Sequence, residues 1–381
     1  MAEPFKNLLN TQVVRNIGLH LQRAWGGFDR KRFEAQAIRG LDALEMKART
    51  RHICDALEGT LPPDFSAAAD VMEAALASMD ELTDHTLDGP AGALDDGLAG
   101  WAVWPLTEYV ARHGLADTPR ALLALHAMTQ RFTGEWAIRP FILHQPELSF
   151  AALHAWAADP SPHVRRLASE GSRPRLPWGV VLKPLVTDPS PTLPLLLRLM
   201  DDPSPYVRRS VANHLNDIAK DHPHVVEAWL LEHLPGASPQ RQALLKHASR
   251  TLVKRGHAGV MGAWGVGERF KGRVALALSS DRAQVGDALQ LLLNIRSTAK
   301  SAQRLAIDYA VHHVKASGDT SAKVFKGWVL DLAPGEAREL LKKHSLKLIT
   351  TRRYHAGLHR IEVLINGQPA SEASFELRLK G

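Results

Sequence analysis

Cysteine is almost missing: Cys54 is the only one in 381 residues. An intramolecular disulfide and a zinc site built on paired cysteines are both excluded, and a reducing compartment, the cytoplasm, is expected. Long apolar runs are missing as well. No stretch of about 18 apolar residues occurs, which excludes a transmembrane helix and a membrane partner of that kind. The opening residues, Met1-Ala-Glu-Pro-Phe-Lys-Asn, lack the positive-then-apolar pattern of a secretory signal, so secretion is not expected. Several catalytic signatures are absent too. There is no Gly-x-Ser-x-Gly elbow for a nucleophilic serine, no phosphate-binding loop, and no His-x-Glu or His-x-x-x-His zinc spacing on the helices discussed below. No metal site is expected.

What is present is the balance of a globular chain, 45% apolar and 23% charged, which excludes disorder. At this length two or three domains are expected. The net charge is +7, and it is unevenly spread. Residues 1–118 carry 11 basic and 18 acidic side chains, residues 119–264 carry 17 and 11, and residues 265–381 carry 19 and 11. The second and third parts thus suit a polyanionic partner, or simply present a soluble basic surface.

The first two-thirds reads as helix. Ala, Leu and Arg dominate, and Leu41, Leu44, Ala48 and Ile53 fall at helical spacing. Punctuation at Pro62-Pro63, Gly89-Pro90, Gly114, Pro119, Pro140 and Pro160 predicts many short helices joined by tight loops. Within this region Asp159-Pro-Ser-Pro-His-Val-Arg-Arg recurs as Asp202-Pro-Ser-Pro-Tyr-Val-Arg-Arg, an offset of 43 residues, with weaker starts at Asp188 and Ser238. A period of about 40–47 residues with paired helices marks HEAT or armadillo repeats. Asp and Ser are placed to cap each helix start, and Pro suits its first turn. Such a solenoid curves, and its concave side is an extended binding surface.

From about Phe270 the pattern changes to alternation. Val274/Leu276/Leu278, Leu289/Leu291/Leu293/Ile295, Leu305/Ile307/Tyr309/Val311, Ile361/Val363/Ile365 and Phe375/Leu377/Leu379 each put apolar residues on one strand face. About seven strands are expected, with turns at Ser317-Gly318-Asp319, Pro334-Gly335 and Asn366-Gly367. This predicts an immunoglobulin-like β-sandwich without a disulfide. The fold class is therefore mainly α: a HEAT-like solenoid over residues 1–262, a glycine-rich linker at Gly256–Gly267, and a small all-β sandwich over residues 268–381.

The repeat region concentrates the residues that could do chemistry. On the helix begun at Val164, Arg166 and Glu170 lie one turn apart and away from the stripe of Val164, Leu167 and Ala168. Gly171 ends the helix, and Arg173, Arg175 and Trp178 follow in a proline-stiffened loop. This predicts a carboxylate, three guanidiniums and an indole on one exposed side. An ordinary helix surface with an Arg–Glu pair, and a Trp plugging the next repeat, would look the same. One repeat later Asn213, Asn216 and Asp217 point away from the stripe of Val207, Val211, Leu215 and Ile218, toward the concave side. They suit either a ligand or a buried polar ladder between repeats. One helix pair earlier, Glu135 stands beside Trp136 and near Arg139. Carboxylates at successive repeat positions would stack side by side. Without metal or nucleophile they could stabilise a developing cation and position a water, as cleavage of a glycosidic bond requires.

At Leu167-Ala-Ser-Glu-Gly-Ser-Arg-Pro-Arg-Leu-Pro-Trp178 and at Val207-Arg-Arg-Ser-Val-Ala-Asn-His-Leu-Asn-Asp-Ile-Ala-Lys-Asp-His-Pro223 the sequence resembles the HEAT-like-repeat alkylpurine DNA glycosylases, AlkC branch. The resemblance covers the helical part throughout, and some members of that branch carry a C-terminal immunoglobulin-like domain. It implies a cofactor-free, monofunctional glycosylase of base excision repair. The substrate would be double-stranded DNA carrying alkylated bases, 3-methyladenine foremost, with 3-methylcytosine a second candidate, excised without a base-flipping pocket. It implies a monomer in the bacterial cytoplasm, at the nucleoid. Glu135, Glu170 and Asp217 would hold the positively charged sugar. Trp136 and Trp178 would touch the lesion nucleotide or its backbone, Arg166, Arg173 and Arg175 the phosphates, and Arg139, Asn213 and Asn216 would also serve DNA binding. In the sandwich, Arg352-Arg353 and Lys342-Lys343 are the candidate DNA contacts, with solvated surface the alternative for each pair. The rival function is a non-catalytic HEAT adaptor for nucleic acid or an acidic protein. Against it, carboxylates on a phosphate-binding face would repel phosphate.

Overall fold

The Asp-Pro-Ser-Pro segments set the helix starts through the aspartate rather than the serine. In the computed structural model, which describes residues 4–78, 96–266, 268–349 and 352–379, the carboxylates of Asp159, Asp188 and Asp202 accept from the backbone N–H of Ser161, Ser190 and Ser204 at 2.8, 3.0 and 2.8 Å. The side chain of Ser161 makes no cap bond, so the expected serine cap gives way to an aspartate-closed turn. The first arginine of each Arg-Arg pair then clamps its own turn. Arg165 Nη1 donates to the carbonyls of Asp159 and Pro160, both at 2.8 Å, and Arg208 Nη1 to those of Asp202 and Pro203 at 2.5 and 2.8 Å. Arg165 also grips the Asp202 carboxylate at 2.6 and 3.1 Å, tying one repeat's start to the next.

These turns launch the helices Pro162–Gly171 and Pro205–Asp221. Val164, Leu167 and Ala168 on the first, and Val207, Val211, Leu215 and Ile218 on the second, are buried. The second helix packs against the first on one side and against Pro239–Ala248 on the other. The prolines act as expected: Pro119 and Pro140 sit in the first turns of Thr118–Thr129 and Arg139–His144. The spacing of Leu41, Leu44 and Ile53 is divided between elements. Leu41 lies in a 3₁₀ turn, Leu44 is extended, and the helix that carries Ile53 begins at Met46. The Gly89-Pro90 turn lies outside the described residues. No helix among the described residues is long and apolar enough to cross a membrane.

The chain packs as two compact units. One holds the helices up to Asp221 together with Pro239–Ala248; the other holds Pro223–His233, the short helices Arg250–Lys254 and Ala258–Ala263, and the described strands. The expected linker therefore contains a helix. Its last residue, Gly267, lies outside the described residues.

Eight strands follow among the described residues: β1 Gly272–Leu278, β2 Arg282–Gln284, β3 Ala288–Ser297, β4 Gln303–Val314, β5 Thr320–Leu332, β6 Ala337–Ser345, β7 Gly357–Ile365 and β8 Gln368–Arg378. They form a three-stranded sheet, β1-β3-β6, and a five-stranded sheet, β2-β8-β7-β4-β5. Every pairing is antiparallel except β2 with β8. Leu291 and Leu293 of β3 meet Val311, Val363 and Phe375 of the other sheet in the core between them. The three expected turns join β4 to β5, β5 to β6, and β7 to β8. Strands β5 and β6 had no clean alternation: Lys, Glu and Arg line these edge strands, where charge blocks further pairing.

Candidate active site

Three segments of the helical unit bring charge together. Helix Pro162–Gly171 carries Arg166 and Glu170, and Arg173 follows directly after it. Helix Pro205–Asp221 lies alongside and presents Ser210, Asp217 and Lys220. The turn before Arg139–His144 adds Thr133 and Glu135. The result is one continuous row in which acid and base alternate. Arg166 Nη1 lies 2.5 Å from Glu135 Oε2, and its Nη2 lies 3.5 Å from Glu170 Oε1. Arg173 Nη1 donates to the same Glu170 oxygen at 2.5 Å, and its Nε and Nη2 reach Asp217 Oδ2, each at 2.8 Å. Lys220 closes the row on Asp217 Oδ1 at 2.8 Å.

Apart from Lys220, which closes the row at an exposed end, and the half-buried Arg166, the row is buried, not exposed as the sequence suggests. Glu135, Glu170, Arg173 and Asp217 are each at most 7% accessible. Burial of this kind disfavours charge unless partners compensate. For Glu170, burial pushes the pKa up, but Arg166, Arg173 and the Ser210 hydroxyl outweigh it, so the carboxyl is held below its ordinary range. For Arg166, burial pulls the pKa down, and Glu135 and Glu170 more than reverse it. Glu170 and Arg166 are thus held charged and fixed.

Hydroxyls and a histidine finish the lining. Ser210 Oγ donates to Glu170 Oε2 at 2.6 Å, and Thr133 Oγ1 to Glu135 Oε2 at 2.9 Å. His214 is fully enclosed, and burial pushes its pKa down to about 4. Its Nδ1 lies 2.8 Å from the Ser169 carbonyl, so the neutral ring carries its proton there as donor. Among the described residues, Glu135 Oε1 is the one carboxylate oxygen of the row that accepts no hydrogen bond. Glu135 and Arg166 line an open groove of about 600 Å³ whose other walls include Trp101, Phe132, Trp136 and Tyr206. The Arg166 guanidinium lies 5.2 Å from the Tyr206 ring centre, and Trp136 stacks on Trp104 at 4.5 Å.

The other expected site residues divide. Arg139 is not a surface cation. Its guanidinium is fully buried and donates to the carbonyls of Val180 at 2.6 Å, Gly171 and Arg173 at 2.8 Å, and Pro174 at 3.4 Å. A phosphate cannot reach it; it clamps the loop that bears Arg173, Arg175 and Trp178. Burial pulls its pKa down to about 10. Arg175 is partly exposed and paired with Asp221 at 2.8 and 2.9 Å. Trp178 is 52% exposed at φ 62°, a left-handed conformation rare for a bulky residue. Its carbonyl accepts from Lys47, and Trp136 Nε1 donates to the Pro177 carbonyl at 3.2 Å. Asn213 pairs with His247 at 2.8 Å, and Asn216 is buried.

In the other unit, Arg352 lies 2.6 Å from His313 Nε2 and over the Tyr354 ring, while Arg353 and Lys343 are exposed. Lys342 lies over the Trp328 ring. Sequence reasoning missed Thr133, Ser210, His214, Lys220 and Tyr206. Two carried a signal: Lys220 follows Asp217 by three residues on a helix, and Tyr206 replaces His163 at the repeat offset. Among the described residues no group of three or more His, Cys, Asp or Glu is arranged to hold a metal.

Comparison with known proteins agrees with this architecture along the whole chain. Residues 192–222 match the HEAT repeat, and residues 273–379 match the family described as "Uncharacterised protein YhaZ, C-terminal Ig-like domain". The chain is 34% identical over 378 residues to the protein YhaZ of Bacillus subtilis (strain 168), covering 98% of this chain and 99% of that one. It is also similar to the solved structure of Pseudomonas fluorescens alkylpurine DNA glycosylase AlkC bound to DNA containing an abasic site analog. There the identity is 33% and the TM-score 0.87, over 98% of this chain and 99% of that one.

Proposed function

Because this chain belongs to the AlkC branch of the HEAT-like-repeat alkylpurine DNA glycosylases, we propose that it is a monofunctional glycosylase that hydrolyses the N-glycosidic bond of N-alkylated bases in duplex DNA. Its first substrate is 3-methyladenine and its second 3-methylcytosine. The observation that carries the mechanism is the buried, alternating charge row with one carboxylate oxygen left open.

The chemistry follows from the charge of the lesion. An N-alkylated base of this kind is already cationic, so it departs as a neutral molecule and needs no general acid. As the bond breaks, positive charge moves onto the sugar. Carboxylates held in place before the reaction stabilise that charge without reorganising, which is where most electrostatic catalysis arises. Arg166 and Arg173 keep Glu170 ionised inside the protein, and with Lys220 they fix Glu135 and Asp217 in register. Glu135, with Oε1 unengaged, positions the water that captures the sugar.

Recognition is assigned around this centre. Trp136 and Trp178 contact the lesion nucleotide, and Arg175 meets a flanking phosphate, while Arg166, absorbed by Glu135 and Glu170, holds the row at the groove wall. Arg173, enclosed between Glu170 and Asp217, serves the row instead. Residues 1–262 form the catalytic, DNA-binding part, and residues 268–381 an accessory DNA-binding part that offers Arg353 and Lys343. The enzyme acts as a monomer in the cytoplasm, on the DNA of the nucleoid.

The test is release of methylated bases from alkylated duplex DNA by the wild type, Glu170→Gln and Asp217→Asn. The variants should lose about 10²- to 10³-fold in rate, the scale of one electrostatic stabiliser, while still binding DNA. Full activity in both would overturn the carboxylate mechanism. Salt-sensitive DNA binding by the wild type, with no base released from any alkylated substrate, would favour the adaptor.

A further inference from the structure

The two Arg-Arg pairs of the repeat divide their work in the same way, with one exception. Arg165 and Arg208 both turn back to clamp the carbonyls of the Asp-Pro turn before their helix. Arg166, the second arginine of the first pair, is absorbed by Glu135 and Glu170. Its equivalent 43 residues later is Arg209, and no carboxylate has been provided there: Asn213 stands where Glu170 stands in the first repeat. Arg209 is exposed and makes no hydrogen bond or ion pair among the described residues.

Arg209 lines a second open groove, about 400 Å³, between helix Pro205–Asp221 and helix Pro239–Ala248. It is the repeat counterpart of the groove at Glu135. Pro162 and Arg166 of the first groove correspond to Pro205 and Arg209 of the second. The walls differ. Where the first groove has Trp101, Phe132, Trp136 and a carboxylate, the second has Ala212, Ala243, Gln240 and His247. Small side chains admit a bulky backbone, and Arg208 and Arg209 give the lining positive charge with no acid among its residues.

We propose that Arg209 is a phosphate seat: the groove between these two helices binds a phosphodiester of the DNA backbone, one repeat along from the carboxylate row. This rests on the glycosylase reading for its ligand and extends it. One groove meets the cationic sugar with carboxylates, and the adjacent groove holds the strand by an unpaired guanidinium. Neighbouring repeats place such grooves roughly one helix-pair apart, so both can engage the same strand.

The test is fluorescence anisotropy of the full chain with a duplex containing an abasic-site analogue, which reads binding without base release. Arg209→Gln should bind about eightfold more weakly at 0.1 M salt, one released counterion's share, and its log affinity against log salt should be flatter by about one. Arg209→Lys should recover most of the slope, since a phosphate contact needs charge more than fork geometry. A slope unchanged from the wild type in Arg209→Gln overturns the proposal. If the wild type binds but releases no base, the glycosylase reading fails, and the slope still decides the fate of the phosphate seat.

Discussion

Arg139 holds Arg173 by its backbone: the Arg139 guanidinium donates to the Arg173 carbonyl at 2.8 Å, while the Arg173 side chain joins Glu170 to Asp217. One buried cation thus positions another. Arg139→Met should leave the carbonyls of Gly171, Arg173, Pro174 and Val180 without their donor. At about 1–3 kcal/mol for each buried group left unsatisfied, the loss should reach at least about 3 kcal/mol after relaxation. Arg139→Lys keeps the charge but not the fork and should recover only part of it. Chemical denaturation of both variants measures this. Wild-type stability in Arg139→Met would mean that the loop is held by its prolines and by its contacts with Trp136, Lys47 and Asp221.

Acid should act on the β-sandwich before it acts on the carboxylates. Burial, helped by Arg352, pushes His313 down to about 3 and His344 down to about 4, and burial also lowers His359. The unfolded chain binds protons at these histidines near pH 6.5 while the folded chain does not, so stability falls as pH drops below 6.5. The loss is about 1.4 kcal/mol per pH unit for each histidine until its folded pKa is reached. Glu170 works lower down: its carboxyl is held below 4.5, so its contribution persists above that value and disappears only as pH falls through the lowered pKa. Melting curves from pH 8 to pH 5 should therefore show a marked fall in Tm. His344→Phe and His359→Phe should flatten it.

The turn at Asn366-Gly367 has a second duty. Both residues are left-handed, at φ 50° and 76°, as a two-residue hairpin turn requires. A Cβ on Gly367 would also lie 2.5 Å from Gly256 Cα, and Gly256 is itself left-handed at φ 67°. Gly318, in the β4–β5 turn at φ 85°, has open space around it. Gly318→Ala should cost only the backbone strain, about 1 kcal/mol. Gly367→Ala should cost at least about 2 kcal/mol more, because backbone has to move. Equal losses in the two variants would show that the Gly256 approach yields freely.

Much of this was legible in the sequence, and the exceptions have physical causes. The repeat was readable because Asp-Pro-Ser-Pro recurs at a fixed interval. Three turns and five strands were readable because glycine and alternation leave plain marks. Strands β5 and β6 were not, since an edge strand trades alternation for charge. Glu135, Glu170 and Asp217 could be picked out as carboxylates at related repeat positions. Their burial could not, because Arg166 and Glu170 at helical spacing look the same on a wet surface as in a buried row. Arg139 was misjudged for the same reason: sequence shows a cation but not the four carbonyls that enclose it.

Glu135 and Glu170 should fail differently when neutralised. Glu170 has both oxygens engaged, Oε1 by Arg166 and Arg173 and Oε2 by Ser210. Glu170→Gln leaves two buried guanidiniums short of a counter-charge, so it should cost about 3 kcal/mol of stability as well as activity. Glu135 engages only Oε2, and Arg166 keeps Glu170 as a partner when Glu135 is changed. Glu135→Gln should therefore cost about 1 kcal/mol or less of stability, yet lower single-turnover base release about 10²- to 10³-fold. Thermal melts and single-turnover release on the same two preparations separate these effects. If Glu135→Gln is the less stable variant and retains base release, the open oxygen does not position water. The row would then be a structural ladder between repeats, and the catalytic groups would have to be sought elsewhere along the groove.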